Sequence, residues 1–252
     1  MSFDVAATAY DRFMGRYAVG LSPQLADLAD IGPGRRVLDV GCGPGALTAE
    51  LVARVGPAAV SAVDPSEPFV ATARARHPAV DVQRASAESL PFAADLFDAA
   101  LAQLVVHFMS DPIAGLQEMR RVTRPGGVVA ACVWDHAAGG GPLSAFWDAA
   151  RALDPDVEDE RGLAGTAEGE LAQLFAAAGL SNVVQTTLVV SVAHPTFEEW
   201  WEPFTLGVGP AGAYVAGLDP ERRLQLCDQC RSALPPAPFV VTGRAWSARG
   251  NA

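Results

Sequence analysis

The chain contains no lysine: all 18 of its basic residues are arginine, set against 29 acidic ones, for a net charge of −11 over 252 residues. Such an acidic surface repels phosphate backbones and anionic bilayers, which argues against a nucleic-acid partner and against adsorption to a membrane. No apolar run approaches the roughly 18 residues needed to cross a bilayer, so no membrane insertion is expected. The opening MSFDVAATAYDRFMGRY lacks the basic start and unbroken apolar stretch of a secretion signal. Cysteine is scarce, four residues in all, and without a secretory start these are expected to be reduced thiols in a cytoplasmic protein. Cys227 and Cys230 form a C-x-x-C, but no second pair accompanies them, and the surrounding ERRLQLCDQCRSAL reads as an amphipathic helix. Two thiols on successive helical turns are expected there, ahead of a metal or redox site. Tandem repeats and extended low-complexity tracts are also missing.

What is present is hydrophobic pattern. Half the residues are hydrophobic, enough for a large buried core, and the length fits one domain over 1–252 with insertions. A helical, aromatic-bearing segment over 1–30 precedes the break at Pro33-Gly34. Strands are expected at Arg36–Val40, Val60–Asp64, Val80–Arg84, Phe97–Val106 and Val128–Trp134, separated by helical patterns. Asp111 and Pro112 start one of these helices, and Pro125-Gly126-Gly127 turns the chain into the fifth strand. A helix at Glu170–Ala178, a strand at Val183–Val192 and a last strand at Phe239–Ser247 continue the pattern. Strand and helix alternating at this pace predict an α/β fold, a doubly wound and mostly parallel sheet with right-handed crossovers. Two stretches, 135–166 and 194–236, do not fit the alternation and are expected to be insertions capping the substrate site.

In open α/β sheets, ligands sit beyond the carboxyl ends of the strands where strand order reverses. Gly41-Cys42-Gly43-Pro44-Gly45 occupies that place after the first strand, and Asp64 ends the second. Glycines allow the sharp turn and the close approach of a ligand, while an acid at this spacing can accept hydrogen bonds from both hydroxyls of a ribose. Gly41, Gly43 and Ala46 also satisfy G-x-G-x-x-G/A, so the loop alone fits a nicotinamide or flavin cofactor equally well.

Read in order, VLDVGCGPG, AVDPS, ASAESLPF, LFDAALAQLVVHF and EMRRVTRPGGVVAACVWD resemble the successive motifs of the class I S-adenosylmethionine-dependent methyltransferases. The closest likeness is to the small-molecule group that includes the quinone-biosynthesis enzymes. The resemblance covers about residues 10–190. It implies a Rossmann-like, seven-stranded sheet with the last strand antiparallel, S-adenosylmethionine as cofactor and S-adenosylhomocysteine as product. Carried over by position, it sets Asp39, Gly41, Gly43 and Gly45 around the methionine portion of the cofactor, Asp64 on the ribose, and Pro65 and Ser66 beside the adenine. Ser86-Ala87-Glu88 matches the stretch where the family commonly has acid, alanine, acid. Ser86 replaces the first acid, a shorter and uncharged partner for the adenine amino group. Gln103 is expected on the methionine side. In related methyltransferases the segment holding Tyr10, Arg16 and Tyr17 forms a helix covering the cofactor, with Arg16 placed to pair with its carboxylate.

Methyl transfer from a sulfonium is an in-line displacement, which calls for alignment and exclusion of water but no metal and no covalent intermediate. A phenolic acceptor, with a pKa of about 10, would also need a base. His107, where the fourth strand opens into the cleft, is the candidate; its alternative role is that of a polar residue at a strand end. His136 is a weaker candidate base, His77 is expected to be a solvated loop residue, and His194 reaches the site only if the late insertion folds over it. Trp200, Trp201 and Phe204 read either as aromatic walls for an apolar acceptor or as anchors of the insertion, and Phe146 and Trp147 read as packing residues. No [DN]-P-P-[YF] motif and no proline–cysteine dipeptide occurs, which disfavours nucleobase methylation. The partner is expected to be a small molecule offering an O, N or C nucleophile, and the protein a monomer or homodimer. A nicotinamide-dependent oxidoreductase and a non-catalytic S-adenosylmethionine-binding protein are the competing readings.

Overall fold

A computed structural model of the chain describes residues 7–252; the first six residues of the expected N-terminal helix lie outside it. Among the described residues, seven strands form one sheet in the order β3-β2-β1-β4-β5-β7-β6. The strands are β1 (Val37–Val40), β2 (Val60–Asp64), β3 (Asp81–Arg84), β4 (Phe97–Gln103), β5 (Thr123–Trp134), β6 (Ser181–His194) and β7 (Phe239–Asn251). β7 is antiparallel to both of its neighbours, and the pairings among β1 to β5 are parallel. The expected doubly wound, Rossmann-like sheet with one antiparallel strand is therefore the fold. A dinucleotide-binding sheet has the order 3-2-1-4-5-6; here β7 is wedged between the fifth and sixth strands.

The helices are α1 (Ala7–Tyr10), α2 (Arg16–Leu28), α3 (Ala46–Val55), α4 (Glu67–Arg76), α5 (Pro112–Val122), α6 (Ser144–Leu153), α7 (Glu170–Ala177), α8 (Phe197–Trp201), α9 (Gly209–Gly217) and α10 (Pro220–Ala233). A wide helical turn at Asp11–Gly15 joins α1 to α2. α5 begins where its sequence says it must: the Asp111 carboxylate accepts from the Ala114 N–H at 3.0 Å, and Pro112 occupies the first turn, where no N–H is missed.

The central strands are buried on both faces, which explains their unbroken apolar composition. Ala99, Leu101, Ala130 and Cys132 join a core with α2, α3 and the late helices. Their neighbours Ala100, Ala102, Val129, Ala131 and Val133 pack on the opposite side, against Leu116 and Met119 of α5 and Leu171 and Phe175 of α7.

Several boundaries differ from expectation. β5 begins at Thr123, before Val128, so that Pro125-Gly126-Gly127 lies within the strand instead of turning the chain into it. β4 stops at Gln103 rather than Val106, because Leu104 adopts a left-handed φ of 62°, a conformation that takes the chain out of the strand direction. Residues 106–108 then form a single tight turn. β7 continues to Asn251 because β5 supplies partners as far as Val128. His194, expected to open the late insertion, is still in β6, paired with Phe239. Cys227 and Cys230 lie on α10 as expected, and all four cysteines are free.

The segments outside the alternation join through aromatic rings. Phe146 of α6 stacks on Phe204 at 4.5 Å between centroids, and Phe204 in turn meets Phe13, Trp200 and Trp201. Tyr214 of α9 closes edge-on against Phe146. Phe146 is fully buried at the centre of this cluster. Phe146→Ala is expected to destabilise the protein by about 3–5 kcal/mol, the range for emptying a buried aromatic site, as read by the shift of the denaturant unfolding midpoint.

Candidate active site

The glycine loop is fastened to the end of β2. The N–H groups of Gly41 and Cys42 both donate to the Val63 carbonyl, at 2.8 and 2.9 Å. The Asp64 carboxylate accepts the Gly43 N–H at 2.9 Å on one oxygen and the Ser66 N–H at 2.8 Å on the other. Asp64 is buried, which raises its pKa, while the two N–H donors oppose that rise. A carboxylate has about four acceptor positions, so two remain for hydroxyl groups of a ligand.

Two glycines require their identity. Gly41 has φ of 72°, and a Cβ there would overlap the Val105 side chain; Gly43 has φ of 54°, and a Cβ there would meet no atom of the described residues within 4 Å. The first is demanded by the fold. The second leaves a bare backbone beside open space, the form a close-fitting ligand needs.

Asp39, on β1, receives the Thr48 hydroxyl of α3 at 2.6 Å, while its other oxygen is buried and has no hydrogen-bond partner among the described residues. Burial pushes its pKa up to about 7, with the Asp64 charge adding to the rise and the Thr48 bond opposing it. An orphaned carboxylate oxygen next to the glycine loop suits the ammonium group of a methionine portion. Gln103 donates its amide to the Ala18 carbonyl of α2 at 3.1 Å, which leaves its oxygen buried and unpartnered among the described residues. The donors and acceptors around positions 39–66 thus fit the adenosine and amino-acid parts of S-adenosylmethionine.

The N-terminal helix does not act as one unit over this site. Tyr10 packs edge-on against Phe69 of α4 at 5.4 Å, and burial and the Asp64 charge raise its phenol above the usual 10. Asp11 pairs with Arg76 of α4, and Arg76 also donates to the Pro44 carbonyl of the glycine loop at 3.2 Å. Arg16 and Tyr17 belong elsewhere. Arg16 donates to the Ala193 carbonyl at 3.1 Å and lies 3.5 Å from both Glu199 and His194; the Tyr17 hydroxyl meets His194 Nε2 at 3.1 Å. The structure brings these two to the end of β6, not to the glycine loop.

His77 corrects a further expectation. It is half-buried rather than solvated, and its Nε2 lies 3.2 Å from the Gly45 carbonyl, so it backs the loop from outside. No motif marks Asp11, Arg76 or His77 for the site, although the crowding of basic residues at the end of α4 is visible as RARH.

On the adenine side, Ala87 is buried and Ser86 half-buried. Glu88 is already engaged, accepting the N–H of Ser110 at 2.8 Å and of Asp111 at 3.4 Å. It ties the start of α5 in place. Pro65 offers its carbonyl to Arg84 at 3.0 Å.

His107 sits on the turn after β4, buried, with its ring 6.0 Å from that of His136, which follows β5. Burial, and then the neighbouring His136, hold His107 well below the usual 6.5, and burial lowers His136 to about 4. Both imidazoles are neutral at pH 7. Glu160, from the first insertion, lies against His136 and receives the Trp147 indole N–H at 2.9 Å; burial pushes it up to about 7. Trp200 and Phe204 are buried and Trp201 half-buried within the aromatic cluster, so they act as anchors of the insertion.

Residues 38–131 match the protein family described as a methyltransferase domain. Over 128 residues the chain is 36% identical to malonyl-[acyl-carrier protein] O-methyltransferase of Erwinia billingiae, covering 51% of this chain and 50% of that protein. Over 104 residues it is 40% identical to demethylmenaquinone methyltransferase of a Mycobacterium species, covering 40% and 43%. The chain thus spans about half or less of the length of the curated relatives it matches. Among solved structures it is similar in fold to the YcgJ protein of Bacillus subtilis, with a TM-score of 0.59 at 20% identity over 93% of this chain and 97% of that one. The [4+2]-cyclase SpnF has a TM-score of 0.56 at 21% identity, covering 92% and 81%. Residues 38–131 thus match a methyltransferase domain, and the fold is that of these solved structures, as the motifs implied; SpnF illustrates that this fold alone does not fix a reaction.

A pH dependence follows from Asp39. Its folded pKa of about 7 lies above the ordinary carboxyl value of 3.8, so the stability associated with its protonated form is complete below about pH 4 and is lost as pH rises through 7. Asp39→Asn is therefore expected to gain stability relative to the wild type across pH 4–7, by a few kcal/mol at roughly 1.4 kcal/mol per pKa unit, and to hold a constant advantage above pH 8. Urea unfolding of both ligand-free proteins across this range checks it.

Proposed function

We propose that the protein transfers the methyl group of S-adenosylmethionine to a small-molecule acceptor by in-line displacement. The observation that carries the reading is the bare Gly43 backbone held open beside Asp64, within the segment matching the methyltransferase family. When bound, S-adenosylmethionine supplies a methyl group on a positively charged sulfur that departs as a neutral thioether. The chain's own residues bind and orient. Asp64 takes the ribose hydroxyls on its free acceptor positions, Asp39 takes the ammonium group, and the glycine loop lets both approach. Tyr10 and the Asp11–Arg76–Pro44 chain of contacts close the N-terminal segment over the loop and exclude water.

The acceptor enters, in this reading, from the side covered by the two insertions 135–166 and 194–236, where specificity in such a fold is written. The aromatic anchors and the net charge of −11 favour an apolar or weakly charged small molecule over a nucleic acid. His107 is neutral and desolvated, so it can accept a hydrogen bond or a proton from an acceptor hydroxyl, but it is a weak base. Relatives are named an O-methyltransferase of malonyl-[acyl-carrier protein] and a methyltransferase of demethylmenaquinone; a site that relies on alignment is compatible with acceptors as different as these. A sheet with β7 inserted antiparallel next to β5 weighs against the nicotinamide-dependent alternative. Among the described residues no helix is long and apolar enough to cross a membrane.

Calorimetric titration with S-adenosylhomocysteine tests the binding half of the proposal. The wild type is expected to bind, and Asp64→Ala to bind at least about a hundredfold more weakly, as two charge-assisted hydrogen bonds are lost. Absence of binding by the wild type, with stabilisation by NAD(H) instead, would overturn it. Transfer of label from methyl-labelled cofactor to a panel of phenols, quinols, amines and carboxylates tests the chemical half; binding without transfer to any of them would favour a non-catalytic role.

A further inference from the structure

We infer that His107, His136 and Glu160 form a binding site for a divalent transition-metal ion. The three residues come from distant parts of the chain and are delivered by separate devices. The left-handed Leu104 ends β4 and starts the turn that carries His107. The end of β5 at Trp134 leaves His136 just beyond the sheet. Asp159 caps the turn Glu160–Gly162, accepting the Arg161 N–H, and so fixes Glu160 in the first insertion.

One nitrogen from each histidine and one oxygen of Glu160 lie within 4.8 Å of one another. All three side chains are almost fully buried, at 5%, 5% and 4% exposure. They do not satisfy one another: His136 Nε2 and Glu160 Oε1 are 3.9 Å apart, too far for a hydrogen bond. His107 Nδ1 and His136 Nε2 have no hydrogen-bond partner among the described residues. Polar atoms deep in a protein are nearly always paired, so an unpaired nitrogen on each of two histidines clustered with one carboxylate requires an account. An ordinary buried network would have drawn them to hydrogen-bond distance. A cation between them supplies the missing partner for every atom at once.

The donor set specifies the class of ion. Two imidazoles and one carboxylate suit Zn²⁺, Fe²⁺ or Co²⁺ in preference to Mg²⁺ or Ca²⁺, which favour oxygen. Ligand atoms about 2.0–2.2 Å from such an ion stand some 3–3.5 Å apart, so the three close inward by about an ångström on binding. The Trp147 indole holds the second oxygen of Glu160 at 2.9 Å, which orients the first, as outer hydrogen bonds do for metal-bound carboxylates. Three protein ligands leave positions for water or for an oxygen of a small molecule. The site lies at the carboxyl ends of β4 and β5, on the same edge of the sheet as the glycine loop.

Metal binding stands on these three side chains and not on the methyl-transfer reading, and its test uses no turnover. Purified protein is stripped with a chelator, dialysed against excess Zn²⁺ or Co²⁺ and desalted, and its metal content is measured, with the Co²⁺ visible spectrum recorded. Wild type is expected to retain about one ion per chain and to melt at a higher temperature with metal than without. His136→Ala and Glu160→Gln are expected to weaken binding by about a hundredfold or more, while Cys227→Ser retains it. Glu160→Gln keeps an acceptor for Trp147, so it decides the matter if His136→Ala does not fold. A wild type that retains no ion, or a folded Glu160→Gln protein that retains as much as the wild type, would overturn the inference; so would loss of the ion in Cys227→Ser.

Discussion

The Asp64 carboxylate is the joint on which the site depends. Its two oxygens hold the N–H groups of Gly43 and Ser66, so a single side chain sets both the glycine loop after β1 and the turn after β2. The Val63 carbonyl, receiving Gly41 and Cys42, locks the same corner from the backbone. Because both clamps sit at the end of β2, the loop is positioned by the sheet and not by the helix that follows it. The remaining acceptor positions of Asp64 point away from these bonds, and the group that shapes the loop is thereby the group that meets the ligand.

Around this rigid corner the coverings are built differently on the two sides. Over the glycine loop, the contacts of the N-terminal segment among the described residues include the ion pair of Asp11 with Arg76 and the edge-on packing of Tyr10 on Phe69. Exposed ion pairs contribute at most about 1 kcal/mol. Over β5 and β7, the insertions are held by many buried rings around Phe146 and Phe204. The second covering is part of the core.

The sheet was legible because its strands are short, apolar and separated by strong breakers. β2 has the boundaries its sequence predicts, and the glycine loop with its acid marked the corner. Where reading stopped short, three-dimensional causes were at work. The run Leu104-Val105-Val106 has strand composition, yet a left-handed residue at its start turns it out of the sheet. Tyr10 and Arg16 are close in sequence, but six helical residues advance about 9 Å along an axis, which is far enough for one to meet α4 and the other β6. His77 is separated from Gly45 by two helices and a β-strand, and nothing local reveals that its ring backs the loop. Glu160 lies in a stretch with no periodicity at all, so its meeting with His136 and His107 could only be seen in space.

The place of β7 bears on how the molecule is made. β6 precedes β7 in the chain but joins the sheet only through it, since β7 alone pairs with β6. On a nascent polypeptide leaving the ribosome, β1 to β4 have all their neighbours and β5 lacks only its outer one, whereas β6 and the helical segments that follow wait as an unpaired tail. Only when Phe239–Asn251 emerges does it slot beside β5 and draw β6 in on its other side. The last of the seven strands in chain order acts as a keystone, and until it arrives the unpaired outer edge of β5 is the surface that a chaperone would have to shield.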